Sequence, residues 1–234
     1  MNTPLDVGAV IRRVFSIYVE QASVLMPAAA VVFVFTGILR TVLVSASHGL
    51  ELLAALVALV AITLFTGMVV ELVADVQDGR RDATVAQLLG AVTPVFGRLI
   101  LVGLVAGVGI LIGFVAIIVP GLILITVWSV IAPVVVLERP PGLRALRRSR
   151  ELVRGSGWPV FGVILVLVVG VNVFAAVIEA VGDSAGTGAG IVVTVVVQIL
   201  TAPLAALAAS VLYFELLARA PAPAAGESAP LGSL

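Results

Sequence analysis

Six long apolar runs divide this 234-residue chain and constrain what it can fold into. A helix needs about 20 mostly apolar residues to cross a bilayer. Lipid leaves the backbone no water to bond, so each run is expected to be helical. The sequence therefore predicts an all-α integral membrane protein with six transmembrane helices. The runs are Ala22 to Val44, Leu50 to Ala74, Leu99 to Val119, Leu122 to Leu137, Pro159 to Val181 and Ile191 to Leu217.

The composition points the same way. Hydrophobic residues make up 62% of the chain and charged residues 11%, against roughly 45–50% and 25% in soluble domains. A soluble fold could not bury that much apolar surface. We expect residues 1–219 to form one membrane domain and residues 220–234, which are rich in Ala, Pro, Gly and Ser, to be a disordered cytoplasmic tail.

The arginines predict the orientation. All 13 basic residues are Arg, and every one except Arg40 lies before the first run, in the second or fourth connection, or after the sixth run. By the positive-inside rule, those segments and both termini are cytoplasmic. Arg without Lys, with abundant Ala, Val and Gly, is typical of a GC-rich bacterial genome, so the expected location is a bacterial cytoplasmic membrane.

The third and fourth runs meet at Pro120-Gly121. Pro lacks an N–H and Gly tolerates positive φ, so this pair predicts a tight turn between two helices. The fourth run is short and contains Pro133. A re-entrant hairpin that ends partway through the bilayer is therefore an alternative to a full crossing.

A short repeat suggests three similar units. Pro94 to Gly97 recurs as Pro159 to Gly162, each at the start of an apolar run. Amphipathic helices are predicted before each pair of runs, at Leu5 to Tyr18, Val85 to Val92 and Leu143 to Val153. Each unit is thus an interfacial helix followed by a transmembrane hairpin, with the helix's apolar face in lipid and its arginines near phosphates.

The arginines of the third leading helix are candidate contacts for anionic phospholipid, because each basic residue near such headgroups gains about 1 kcal/mol. The alternative is that they only fix the topology. These residues are Arg144, Arg147, Arg148, Arg150 and Arg154.

Polar residues inside the runs are few, and such residues are costly in lipid. We expect Arg40 to reach outward or to pair with Glu51 or Glu179. The acidic residues near the inner ends should pair with arginines there, and the amides should bond between helices. The candidate intramembrane polar or ion-pairing residues are Arg40, Glu71, Asn172, Glu179, Gln198 and Glu215.

No reaction chemistry is evident. The chain has no Cys, and its single histidine, His48, has no neighbouring ligand-type cluster. It has no phosphate-binding glycine loop of the P-loop kind. We therefore predict no catalytic, cofactor or metal site, no enzymatic activity and no nucleic-acid partner.

Several segments form a pattern shared with a known family. They are Val119 to Leu124, Trp128-Ser129, Ala132 to Glu138 and Ala145 to Gly155, with the opening Leu5 to Tyr18 and the closing Leu212 to Leu217. This pattern resembles the membrane domain associated with glycerophosphoryl diester phosphodiesterases, which related bacterial proteins also carry alone. In fused members, hydrolysis belongs to a separate soluble domain. The resemblance implies no catalytic residues in the matched segments, and the short segment after Arg219 is not expected to supply a catalytic domain.

Two functions are compatible with these features. The first is a non-enzymatic membrane protein that binds or organises phospholipid, or is a platform for a protein partner or a second copy of itself. The alternative is a transporter or permease component, favoured by repetition and a broken span. Transport requires a polar cavity that reaches mid-membrane near Asn172 or Gln198. An intramembrane enzyme would require Arg40, Glu179 and Asp183 to converge on a wet cavity.

Overall fold

The computed structural model describes residues 5–46, 50–79, 84–184 and 186–219. Within those residues the chain is all helical, and six helices are long and apolar enough to cross a membrane. This confirms the predicted all-α, multi-pass membrane protein. His48, Arg80, Arg81 and the tail lie outside the described residues. The six helices are Ala22–Leu43, Glu51–Gln77, Val85–Ala116, Ile118–Glu138, Gly157–Ser184 and Gly188–Leu217.

Shorter segments make up these helices. Wide, π-helical turns occur at Val134–Glu138 and Leu165–Gly170, and a 3-10 turn at Thr93–Val95. The α-helices are α1 (Val7–Glu20), α2 (Ala22–Ala46), α3 (Glu51–Gln77), α4 (Val85–Val92), α5 (Phe96–Ala116), α6 (Ile118–Val127), α7 (Ile131–Pro133), α8 (Arg144–Val153), α9 (Gly157–Ile164), α10 (Val171–Ser184) and α11 (Thr187–Leu217).

Helices α1, α4 and α8 lie at one end of the bundle, which we call the arginine-rich end. Helix α1 starts at Asp6, whose carboxylate accepts a hydrogen bond from the Ala9 amide at 3.2 Å. Its apolar residues Val10, Val14 and Ile17 are buried, and α1 contacts α2, α9 and α11. The apolar face of α1 therefore packs on protein, where the sequence analysis expected lipid.

Tyr18 links α1 to α11 by a hydrogen bond close to Pro203. Its hydroxyl donates to the Leu200 carbonyl at 2.9 Å. Pro203 lies inside α11, and its missing N–H leaves the Ile199 carbonyl, four residues earlier, without its usual helical donor. Tyr18 bonds the next carbonyl along the helix, in the same turn. Burial raises the pKa of Tyr18, which keeps the hydroxyl protonated.

Helix α4 differs from the prediction of a separate leading helix. It starts at a capping box in which Thr84 and Gln87 bond each other's backbone amides, and it continues through the 3-10 turn into α5. Val92 packs on Gly67 of α3, where a Cβ atom would lie only 2.7 Å from Val92. A short helix precedes each pair of spans along the chain, but the internal repeat itself stays a prediction.

The turn between the third and fourth spans is at Ile117, so the prediction of a turn at Pro120-Gly121 was wrong. Ile117 is extended, with φ −161° and ψ 143°. Pro120 lies in the first turn of α6, where a missing N–H costs little because that amide has no helical partner. Gly121 permits close packing, because a Cβ there would lie 2.5 Å from the Phe114 ring.

The fourth span is 21 residues long, which is enough to cross, but it is broken. Helix α6 ends at Trp128, and a turn separates it from α7 and its Pro133. The side chain of Ser149, which is fully buried on α8, donates to the Val127 carbonyl at 2.8 Å. Helix α8 therefore supplies a hydrogen bond that the break removes.

Replacing Gly121 should test the close packing of α5 on α6. We expect Gly121→Ala to lower the thermal unfolding midpoint in detergent, because overpacking costs about 1–3 kcal/mol. Gly107→Ala is the matched control, since a Cβ there meets nothing within 4 Å. Its midpoint should be unchanged or higher, and equal effects of the two changes would contradict this packing.

Candidate functional site

A cavity of about 1070 Å³ opens at the end of the bundle opposite the arginine-rich end. It lies between α2, α3, α10 and α11. Polar and charged side chains line much of it, including four ionisable residues from three helices. Its main polar lining consists of Thr36, Arg40, Glu51, Glu179, Asp183, Thr194 and Gln198.

Helical spacing explains why these side chains meet. Residues four apart lie on the same face of a helix. Glu179 and Asp183 are so spaced on α10, and Thr194 and Gln198 on α11. On α2, Thr36 and Arg40 repeat the pattern. The four-residue spacing of polar side chains in three spans is visible in the sequence, and it is a signal from which this site could have been predicted.

Small residues shape the space between the helices. Close contacts form at glycines: a Cβ on Gly37 would lie 2.9 Å from Val195, and one on Gly182 would lie 2.8 Å from Val193. These contacts hold α11 tightly against α2 and α10. On α3, the cavity wall is formed by Ala54, Ala55 and Ala58, whose short side chains leave the volume open.

Three charged side chains of the cavity, Arg40, Glu179 and Asp183, do not pair with one another. Within the described residues, no ion pair of 4.0 Å or less involves Arg40, Glu179 or Asp183. The expected pair between Arg40 and Glu179 is therefore not formed. One arginine and three carboxylates, with Glu51 included, give a formal charge of +1 − 3 = −2. The carboxylates are spread around the rim, and in the described part of the chain they do not form a group of three that could hold a metal ion.

Gln198 lies deep in this cavity. It is 11 residues into α11, or about 16 Å along the helix axis at 1.5 Å per residue. The hydrocarbon core of a bilayer is about 30 Å thick, so polar lining reaches far into the expected membrane. Gln198 thus belongs to the lining of a polar cavity.

Between Gln198 and the arginine-rich end, the bundle is closed by apolar side chains. The rings of Phe33 and Phe65 meet edge to face at 5.8 Å between centroids. Phe65 and Leu207 are almost completely buried, as is Val69. These apolar contacts separate the cavity from the arginine-rich end.

The other intramembrane polar residues lie elsewhere. Asn172 is exposed on the outer surface of α10, and its amide donates to the Val168 carbonyl of its own helix at 2.6 Å. In the described part of the chain it makes no hydrogen bond to another helix. Glu215 pairs with Arg219 at 3.3 Å, as expected of an inner-end carboxylate. Glu71 makes no ion pair among the described residues, although it interacts electrostatically with Arg139.

A polar cluster joins three elements at the arginine-rich end. The Arg148 Nε atom donates to both Glu138 carboxylate oxygens, at 2.8 and 3.1 Å, and the Tyr213 hydroxyl donates to one of them at 3.1 Å. The hydrogen bond with Glu138 raises the pKa of Arg148. The cluster links α8, the end of the fourth span and the end of α11. Arg148 is thereby bound within the protein.

The remaining arginines of α8 and its end differ in their surroundings. Arg147 forms an exposed pair with Glu151 at 2.9 Å. Arg144, Arg150 and Arg154 are exposed, and in the described part of the chain their side chains have no hydrogen-bond or ion-pair partner. Three of the five arginines predicted to contact lipid are thus available to an anion.

Comparison with protein-family models, with curated proteins and with solved structures gives no match for this chain. The resemblance to the phosphodiesterase-associated membrane domain stays a prediction. Three of the segments that carry it contact one another, because Arg148 and Tyr213 both bond Glu138.

Removal of Arg148 should destabilise the protein, because Glu138 and Tyr213 would lose their cationic partner. We expect Arg148→Gln to lower the free energy of unfolding by about 1–3 kcal/mol, the usual size of a hydrogen bond to a charged group. Arg144→Gln removes the same charge from an unpaired, exposed site and should stay within about 0.5 kcal/mol of wild type. Denaturant titration in detergent measures both, and an equal loss in the two variants would contradict the role of the cluster.

Proposed function

We propose that this protein binds a polar ligand with a positively charged group in the cavity between α2, α3, α10 and α11, as a transporter or permease component. One observation carries the proposal: unpaired ionisable side chains line a cavity that is open at one end and reaches deep into the bundle. Charges in lipid are costly unless they face water, a partner or a ligand. Glu179, Asp183 and Arg40 have no partner among the described residues, so water or a ligand must meet them.

The sign of the charge favours a cation. Among the side chains without an ion-pair partner in the described residues, two carboxylates outnumber one arginine, and net negative charge in a cleft with low-dielectric walls concentrates cations there. Gln198 and Thr194 can both donate and accept hydrogen bonds at the inner part of the cavity. A small ligand with a cationic group and further polar groups fits this lining best.

The cavity is closed at its inner end, which favours a transporter rather than a channel that is open at both ends. Substrate sites of transporters commonly lie near the bilayer midplane, with access from one side at a time. Here the contact between Phe33 and Phe65, with the buried core that continues to Leu207, blocks the opposite side. We propose that the three-unit repeat supplies the two arrangements that alternating access needs.

We keep the expectation that the protein is not an enzyme. In the described part of the chain, no polar pair within hydrogen-bonding distance in the cavity joins a nucleophile to a base. The ionisable groups there are separated around the rim. Such an arrangement suits binding through charge.

Orientation also belongs to the proposal. The positive-inside rule makes the arginine-rich end cytoplasmic, so the cavity opens to the outside of a bacterial cytoplasmic membrane and both termini are cytoplasmic. We therefore propose that the ligand is bound, or taken up, from outside the membrane.

A second candidate function is contact with anionic phospholipid at the arginine-rich end. The exposed, unpaired side chains of Arg144, Arg150 and Arg154 favour it. Phospholipid binding there is compatible with a platform for a protein partner or a second copy of the chain.

Charge-selective labelling tests the cavity. The chain has no cysteine, so Gln198→Cys places a single thiol at the inner part of the cavity. We expect a membrane-impermeant trimethylammonium methanethiosulfonate to modify it at least about ten times faster than the sulfonate analogue, after correction for their rates with free thiol. Adding Glu179→Gln and Asp183→Asn brings the formal charge to zero and should bring the ratio close to one.

Asn172→Cys is the matched control for this labelling. Asn172 lies 12 residues before Ser184 at the end of α10, a depth similar to that of Gln198, but on the outer surface. It should react with neither reagent, because thiolate chemistry needs water. An unreactive Gln198→Cys variant, or a ratio near one without the two neutral substitutions, would falsify the proposal.

Neutralising the free arginines tests the second function. We expect Arg144→Gln, Arg150→Gln and Arg154→Gln together to weaken retention of phosphatidylglycerol by about a hundredfold, since each arginine contributes about 1 kcal/mol. Mass spectrometry of lipid that remains bound in mild detergent measures this. Arg147→Gln, at a position already paired with Glu151, should lose far less, and unchanged retention in the triple variant would remove this function.

A further inference from the structure

An apolar groove adjoins the charged cavity. It has a volume of about 500 Å³ and lies on the bundle surface between α2 and α11. Gly37, Thr41, Ile191 and Val195 line both the groove and the cavity. The two spaces are therefore continuous along the edges of these helices.

The groove runs along the helix axes. On α2 its lining extends from Val42, near the rim, to Val34, and on α11 from Ile191 to Ile199. Eight residues at 1.5 Å each give a length of about 12 Å. The groove thus starts at the level of the cavity rim and descends toward the middle of the membrane, the direction that an acyl chain of that leaflet takes.

Helices α2 and α11 contact each other at the bottom of the groove. A Cβ atom on Gly37 would lie 2.9 Å from the Val195 side chain, so α2 and α11 touch there without a gap. The side chains on either side, such as Ile38 and Val196, form the walls. A flexible apolar chain can lie between them.

The charges at the rim match a headgroup of mixed sign. Arg40 can bind a phosphate, and Glu179 and Asp183 can bind an ammonium group. All three are without an ion-pair partner in the described residues. A ligand with both charges and an apolar chain would fill the cavity and the groove together.

We infer that the ligand is a zwitterionic phospholipid with an amine in its headgroup, bound with the headgroup in the cavity and one acyl chain in the groove. This rests on the proposed function, because it names the ligand class of the same cavity. The lipid comes from the leaflet opposite the arginine-rich end and reaches the site sideways, between α2 and α11.

Competition between two lipids tests the inference. The intact protein is reconstituted in an equimolar mixture of phosphatidylethanolamine and phosphatidylglycerol and extracted in mild detergent, and the retained lipid is identified by native mass spectrometry. We expect phosphatidylethanolamine to be enriched about tenfold, the factor that one hydrogen bond between charged groups supplies. Glu179→Gln with Asp183→Asn should abolish the enrichment.

A matched pair of variants tests the groove. Val196 lines the groove and Val108 lies on α5 away from it, and both are 48% exposed. Val196→Trp should fill the groove and remove the enrichment, whereas Val108→Trp should keep it. Equal retention in the two variants overturns the inference.

The labelling of Gln198→Cys separates this inference from the proposed function. Cation selectivity without lipid enrichment overturns the lipid and leaves a soluble cationic ligand in the same cavity. Slower labelling in the presence of free phosphoethanolamine, again without enrichment, has the same meaning. Loss of both cation selectivity and enrichment overturns the inference together with the proposed function.

Discussion

The arrangement of the helices depends on the high free energy of a charged side chain in lipid. Arg40, Glu179 and Asp183 occupy helices that are otherwise apolar, and each must face water or a partner of opposite charge. The fold meets that requirement by turning the polar faces of α2, α10 and α11 toward one another. Glycine contacts hold the helices together, and alanines on α3 leave the intervening space open. The cavity is lined by side chains of the spans themselves.

The opposite end of the bundle is closed in this structure. The fourth span is broken after α6, and the freed Val127 carbonyl is bonded by Ser149. Arg148, Glu138 and Tyr213 then join α8, the fourth span and α11 in one cluster. This hydrogen-bonded end, separated from the cavity by apolar residues, differs from the open, charged end. One end is suited to ligand access and the other to contact with anionic headgroups.

Hydropathy predicts the spans because apolar length is a property of contiguous residues. It could not place the turn at Ile117, because the conformation there depends on how Gly121 packs against Phe114. Distant packing also decides the site. The roles of Asn172 and Gln198 could not be told apart from their similar positions in two spans. One bonds its own helix on the outer surface, and the other lines the cavity. The four-residue spacing of polar side chains was visible in the sequence, but the meeting of those faces depends on the arrangement of the helices.

The proposed ligand site requires that water reach Gln198. A nitroxide spin label attached through Gln198→Cys, in protein reconstituted in vesicles, reports this by collision with a water-soluble nickel complex and with oxygen, which concentrates in lipid. We predict greater accessibility to nickel than to oxygen at position 198, and the reverse at position 172, which lies at similar depth on the outer surface. Greater accessibility to oxygen at both positions would show that lipid or packed protein fills the space, and would contradict the cavity and the ligand site built on it.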